Sequence, residues 1–107
     1  LQYDPSERII EVRGGYDDPS VNLVVVDRAY TVGQPLTIRA ESITLIGTTL
    51  EPSSVTLRAE ESVRLTDSSI RTTAAAGLQV RTETLILENT TIIGTEQLEA
   101  DSIIDDR

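Results

Sequence analysis

The chain has 107 residues, enough for one domain with a modest core. It contains no Cys, His, Met, Trp or Phe, which excludes disulfides, cysteine-based metal sites and histidine general bases. The formal net charge of -9 disfavours nucleic acid and anionic lipid surfaces as partners. No run of about 20 apolar residues is present, so no membrane insertion is predicted.

The first third of the chain is irregular. The segment RIIEVR at 8–13 predicts a strand, followed by a turn at the glycine pair 14–15. The Asp-Asp-Pro-Ser segment at 17–20 predicts a loop, and the apolar run at 23–26 predicts a buried strand. We therefore expect residues 1–35 to form one or more atypical coils that cap the first open edge of a repeat structure.

From residue 36 onward the chain repeats itself. The segment LTIRAE at 36–41 returns as VTLRAE at 55–60 and, more loosely, as LQVRTE at 78–83. Each copy leads to a second alternating segment, a turn residue, a pair of hydroxyl residues and an aliphatic residue. A fixed period of this length indicates a solenoid of stacked coils. The predicted coils are residues 36–54, 55–77 and 78–97, with a partial coil at 98–107.

Every repeat unit has the alternation of a β-strand. Thr, Val and Ile dominate these segments, and no stretch carries a sustained helical period. The predicted fold is all-β, a right-handed parallel β-helix with coils of about 19–23 residues, the handedness following from the general preference of parallel crossovers. Inward-facing columns are predicted to contain Leu36, Val55 and Leu78; Ile38, Leu57 and Val80; and Leu50, Ile70 and Ile92.

One position of the repeat holds a turn residue, and the next two hold hydroxyls. Gly47, Asp67 and Asn89 share the turn position, and all three residue types tolerate positive φ. The hydroxyl pairs allow two interpretations. Corner hydroxyls that bond to the turn backbone are the commoner arrangement; a flat hydroxyl array for ice or glycan binding is the alternative. The pairs are Thr48 and Thr49, Ser68 and Ser69, and Thr90 and Thr91.

A column of arginines runs beside a column of glutamates. The arginines are Arg39, Arg58 and Arg81, and the glutamates are Glu41, Glu60 and Glu83. Residues two apart on a strand point to the same face, which favours a solvated ladder of Arg–Glu pairs. The alternative interpretation is a stripe that binds a ligand.

Acidic residues are the only candidates for catalysis. These are Asp17, Asp18, Asp67, Glu60 and Glu61, with Arg64 as the one nearby base. Adjacent acids on a strand diverge to opposite faces, and the chain has neither Lys nor His. We therefore expect no enzyme activity, no catalytic residues and no cofactor. No spaced D-x-D-x-D calcium motif is present, and the sequence makes no prediction of a metal site.

The three units resemble the repeats of filamentous-haemagglutinin-type secreted adhesins. In that family, strands of the form apolar-Thr-apolar-x-Ala lead to a second strand, a Gly, Asn or Asp turn and a Ser/Thr pair. The matching units cover about two thirds of the chain. The resemblance implies an extracellular or cell-surface rod that spaces and presents loops such as 71–77, with a cell-surface glycan or protein as partner.

Two further hypotheses stay open at this point. Because the fourth unit stops within a coil, we expect either a longer parent protein or contact with a second copy. The second hypothesis is accordingly a self-assembling filament subunit or small oligomer, joined end to end through residues 98–104 and the strand near 9–12. A polysaccharide-active β-helix enzyme is the third.

Overall fold

The computed structural model describes residues 2–4, 9–11, 15–30 and 34–107. In these ranges the chain forms strands and turns, with no helix. The strands are β1 Gln2–Asp4, β2 Ile9–Glu11, β3 Gly15–Val26, β4 Ala29–Tyr30, β5 Leu36–Ile46, β6 Thr49–Leu50, β7 Val55–Thr66, β8 Ser69–Arg71, β9 Leu78–Glu88, β10 Thr91–Ile93 and β11 Glu96–Asp106.

Two parallel sheets run along the stack of coils. The long sheet has the order β11-β9-β7-β5-β3, and the short sheet has the order β10-β8-β6-β4. Each coil contributes a long strand and then a short one, so that strands alternate between the sheets along the chain. The result is a parallel β-solenoid of about four turns, as the sequence period predicts.

The core consists of aliphatic columns parallel to the solenoid axis. Leu36 pairs in register with Val55 and Val55 with Leu78, and the other two predicted columns are aligned in the same way. Their side chains are buried, apart from Ile92, which is half-buried in β10, the end strand of the short sheet. The predicted columns are therefore confirmed, and the alternation of apolar residues is what sets the register between coils.

Register shifts interrupt three of the four strand pairings in the long sheet, each once, whereas β9 and β11 pair without a shift. In β5 every second side chain is buried up to Ala40, and the next buried side chain is Ile43, three residues later instead of two. The pairing register shifts between Ala40 and Ser42 at the same place. The two segments predicted for each unit are thus two arms of one bent strand: a first arm, which is residues 36–40 in β5, and a second arm, residues 42–46. A bulge supplies the bend without ending the strand.

The parallel pairing between coils continues into the residues that precede the sequence repeat. Strand β3 pairs in parallel with β5, and its residues Leu23 and Val25 are fully buried. Gly15 was expected in a turn but is the first residue of β3, because it pairs with Thr37 of the next coil. Gly14 lies outside the described residues.

The first third of the chain differs from the sequence prediction at residues 17–20 and agrees with it in part at residues 8–13. The loop expected at 17–20 is instead an irregularity inside β3, since pairing resumes at Asn22 after a register shift that begins at Asp18. Of the predicted strand 8–13, the part at Ile9–Glu11 is β2, which pairs antiparallel with β1. The remaining residues of that prediction lie outside the described part of the chain.

The turn after each long strand has the predicted left-handed backbone. Gly47, Asp67 and Asn89 have φ angles of 58°, 50° and 47°. Asp27 occupies the same place one coil earlier, with a φ of 52°. A Cβ atom added at Gly47 would collide with Oδ1 of Asp27, so the Asp27 side chain would have to move to admit any other residue at this turn.

Candidate ligand-binding face

An arginine ladder lies on the outer face of the first arms. Arg39 pairs in register with Arg58, and Arg58 with Arg81. The same column continues to Asp17 in the coil before and to Glu99 in the coil after. Neighbouring strands are about 4.8 Å apart, so three guanidinium groups are stacked between two carboxylates. We call the three arginines the arginine ladder.

The arginine ladder is mostly without acidic partners. Arg39 contacts Asp17 at 3.7 Å, and both side chains are largely exposed. Arg58 and Arg81 are exposed and form no ion pair with any residue that the structure describes. The predicted ladder of Arg–Glu pairs is therefore wrong.

The corner explains why the predicted pairs do not form. Each glutamate is itself a corner residue, outside the paired first arm that carries the arginine two positions before it, so the two side chains do not share one regular strand face. The number of corner residues also varies. Strand β5 has Glu41 alone between its paired arms, whereas β7 has Glu60 and Glu61. The glutamates are consequently not in register from coil to coil, as the arginines are.

A groove runs along the corner beside the arginine ladder. Its volume is about 450 Å³, and it is open to solvent. One wall is cationic and the other is acidic, and small side chains line the floor between them. The lining residues are Arg39, Ala40, Arg58, Ala59, Glu60, Arg81, Thr82, Glu83 and Asp101. We call this cavity the arginine groove.

Uncharged polar side chains flank the arginine ladder on its other side. Thr56, Gln79 and Gln97 line a second cavity of about 260 Å³, which also contacts Arg58 and Arg81. These three residues are in register across neighbouring strands. The two arginines are thus bordered by an acidic wall on one side and by hydroxyl and amide groups on the other.

Thr82 differs from its equivalents in the other coils. Ala40, Ala59 and Ala100 follow the ladder position elsewhere, and all lie at the inner side of the corner. Oγ1 of Thr82 is buried and has no hydrogen-bond partner among the described residues. Thr82 lines the arginine groove, but its hydroxyl oxygen is shielded from solvent.

The first hydroxyl of each predicted pair is structural. Thr48, Ser68 and Thr90 are buried, and each side chain donates a hydrogen bond to a carbonyl of the preceding coil. The single hydroxyl proton is shared with the carbonyl two residues before it, as in the contact of 3.0 Å between Thr90 Oγ1 and Glu88 O. The interpretation of corner hydroxyls that bond to the turn backbone is confirmed. We call Thr48, Ser68 and Thr90 the hydroxyl column.

The acidic residues considered for catalysis are not brought together. Asp18 accepts hydrogen bonds from the backbone and side chain of Ser20, and these hold the pKa of the Asp18 carboxyl below its usual value. Asp67 accepts a hydrogen bond from Asn89 in the next coil. Arg64 lies on a second arm and pairs with Glu88 at 2.6 Å. Within the described ranges, no three acidic side chains form a group suited to a metal ion.

The last coil places charges where earlier coils have core residues. Glu96 is in register with Leu78, and Asp105 is in register with Leu87. Arg107 joins them through a 2.7 Å bond to Glu96 and two bonds to the Asp105 carboxylate. The guanidinium holds the pKa of Asp105 below its usual value, and the two carboxylates raise the pKa of Arg107. Ionic contacts therefore cover this end of the core.

Sequence reasoning missed Asp17 and Glu99 as the ends of the arginine ladder. A signal for Glu99 was present, because residues 98–101 match 38–41 with Glu in place of Arg. No comparable signal existed for Asp17, since the register shift after Asp18 separates it from the repeat spacing.

Comparisons with known proteins add no family to this description. The described part of the chain contains no helix of the length and apolar character needed to cross a membrane. No protein-family model, curated protein or solved structure matches the chain.

Proposed function

We propose that this chain is an extracellular structural and adhesive module, a stiff spacer on a cell surface or secreted protein that carries binding elements along its length. The observation that supports this most directly is the register of the long sheet, which presents equivalent outer positions at every coil. Stacked coils bury a continuous aliphatic core, which resists bending and needs no disulfide. The resemblance to secreted adhesin repeats points the same way.

Location is tested by antibody labelling. An antibody raised against the purified chain should label intact cells of the organism that encodes it, and a short protease treatment of those cells should remove the signal. An antibody against a cytosolic protein serves as the control for cell integrity. Labelling that occurs only after permeabilisation would contradict an extracellular role.

Adhesion is tested separately. Beads coated with the folded chain should bind surfaces that carry extracellular polysaccharide or host-cell glycoprotein more strongly than beads coated with the heat-unfolded chain. Equal retention of both kinds of bead would count against the adhesive part of the proposal, while leaving a purely structural spacer.

A filament subunit is the second candidate. It is favoured by the outer edge of β11, which has no partner strand in the described sheet, and by Ile103 and Ile104, which are about half exposed. An unpaired edge with apolar side chains is a site for pairing with another chain. The charged cluster of Glu96, Asp105 and Arg107 at the same end opposes it, because stacking a further core there would bury those charges.

Negative-stain microscopy with light scattering, at low salt and at molar salt, distinguishes the two candidates. The adhesive module is expected to stay a monomer or small oligomer in both conditions. Long fibres with a regular axial repeat would establish filament formation and overturn our first choice.

A further inference from the structure

We propose that the arginine groove binds a carboxylated polysaccharide, with guanidinium groups of Arg58 and Arg81 holding carboxylates on the sugar chain. The inference rests on the proposed adhesive function and names the ligand class for it. The ligand would lie along the solenoid axis, across the first arms of consecutive coils.

The first argument is the uncompensated charge of the arginine ladder. The chain has 18 acidic residues, yet Arg58 and Arg81 form no ion pair with any of those that the structure describes. Like charges directly opposite on neighbouring strands are destabilising. A stack of guanidinium groups therefore lowers stability in the free protein and becomes favourable once anions lie between or across the groups.

The second argument is the length of the cationic strip. It covers three layers, so the outermost arginines are separated by about 10 Å, which is two strand spacings. Asp17 and Glu99 occupy the next positions at either end. These carboxylates repel an anion that extends straight beyond the ladder. The strip is suited to a short anionic stretch of a longer chain, or to one that turns away from the rod.

The third argument concerns what else the ligand must offer. Glu60, Glu83 and Asp101 form the acidic wall of the groove, which repels a continuous run of phosphates. Carboxylates also accept hydrogen bonds from hydroxyl groups. A uronic acid chain carries both a carboxylate for the arginine wall and hydroxyls for the acidic wall. No aromatic residue lines either cavity, so the stacking that single-stranded nucleic acids use is not provided there.

Further polar groups are available around the two arginines. Gln79 and Gln97 on the other side of the ladder can donate or accept hydrogen bonds.

The test is calorimetric titration of the full 107-residue chain with short oligomannuronate in calcium-free buffer of low ionic strength. The probe is compared with its methyl ester, which is uncharged, and with polyglutamate, which has carboxylates but no sugar hydroxyls. The test variant is Arg58→Gln with Arg81→Gln. The matched control is Arg28→Gln with Arg71→Gln, which removes the same charge from two exposed arginines outside both cavities.

We expect the wild type and the control variant to bind oligomannuronate, and the test variant to bind it at least about tenfold more weakly, as the loss of charge-assisted hydrogen bonds implies. Both variants should keep the wild-type circular dichroism spectrum, since all four arginines are exposed. In the wild type and the control variant, binding of the ester or of polyglutamate should be weaker than that of oligomannuronate.

Three results would overturn the inference. One is no binding of oligomannuronate by the wild type. Another is equal weakening in both variants, which would show that overall charge is responsible. The third is equally tight binding of the ester or of polyglutamate, which would remove the need for a carboxylated sugar. If coated beads still adhere while oligomannuronate fails to bind, the adhesive function stands and only the ligand class is wrong. Oligomannuronate binding without bead adhesion would reject the adhesive function and keep the groove.

Discussion

Two polar columns run along this solenoid, and they differ in whether other groups of the protein form hydrogen bonds or ion pairs with them. In the hydroxyl column, each side chain is buried and bonds to backbone carbonyls of its own and the preceding coil. In the arginine ladder, Arg58 and Arg81 are exposed and form no ion pair with a described residue. A repeated polar residue can thus arise from the needs of the fold, or persist although the fold gains nothing from it. The second kind is the better marker of a binding site.

The largest effect is expected from breaking the hydroxyl column. Thr90→Val keeps the shape of the side chain but removes the bonds to Leu65 O and Glu88 O, both at 3.0 Å. The free energy of unfolding should fall by about 1–3 kcal/mol, the cost of losing a buried hydrogen bond. Urea denaturation followed by circular dichroism measures this loss.

The neighbouring residue gives the matched control. Thr91 is exposed, and its side chain forms no hydrogen bond with a described residue. Thr91→Val should leave the free energy of unfolding within about 0.5 kcal/mol of wild type. Equal losses for the two substitutions would mean that the hydroxyl column does not stabilise the coils through hydrogen bonds.

A smaller effect is expected for an arginine that does have a partner. Arg64 pairs with Glu88 through contacts of 2.6 and 2.7 Å, on the second arm. A double-mutant cycle with Arg64→Gln and Glu88→Gln should give a coupling free energy of about 0.2–1 kcal/mol, as for other exposed pairs. The coupling should decrease at molar salt because the charges are screened. A coupling free energy of zero at low salt would mean that Arg64 gains no stability from Glu88, and Arg64 would then not differ from the unpaired arginines of the ladder.

Sequence patterns predicted the inside of this molecule much better than its outside. The aliphatic columns were found because an inward residue must be apolar in every coil, whatever the corner between them does. The outer columns depend on the corner itself. Alternation cannot show that the glutamates lie at the corner, outside the paired arms, or that β5 has one residue there while β7 has two. The unpaired state of the arginine ladder therefore emerged only from the register of the bent strands.

A still smaller effect should appear in acid, at an arginine with two carboxylate partners. Arg107 holds the pKa of Asp105 below its unfolded value of about 3.8. Because that pKa is lowered on folding, Asp105 contributes stability above about pH 4, and the contribution is lost as the pH falls through the folded value. Arg107→Gln should therefore make the thermal midpoint less sensitive to acid below about pH 4, whereas Arg81→Gln should not. If the thermal midpoint of Arg107→Gln fell in acid as steeply as that of the wild type, the contact between Arg107 and Asp105 would be contradicted.

The smallest effect is expected in the arginine ladder, where its sign matters more than its size. Arg81→Gln removes a charge that faces Arg58 across one strand spacing of about 4.8 Å, and no described carboxylate loses a partner. The free energy of unfolding should rise slightly or stay unchanged, within about 0.5 kcal/mol, and any gain should disappear at molar salt.

Arg71→Gln, which removes an exposed arginine paired in register with Ile93, should show no such gain. If Arg81→Gln instead lowered stability by more than about 1 kcal/mol, the arginine ladder would support the fold after all. The argument that a ligand accounts for the ladder would then lose its basis, since a stabilising arginine needs no partner outside the chain.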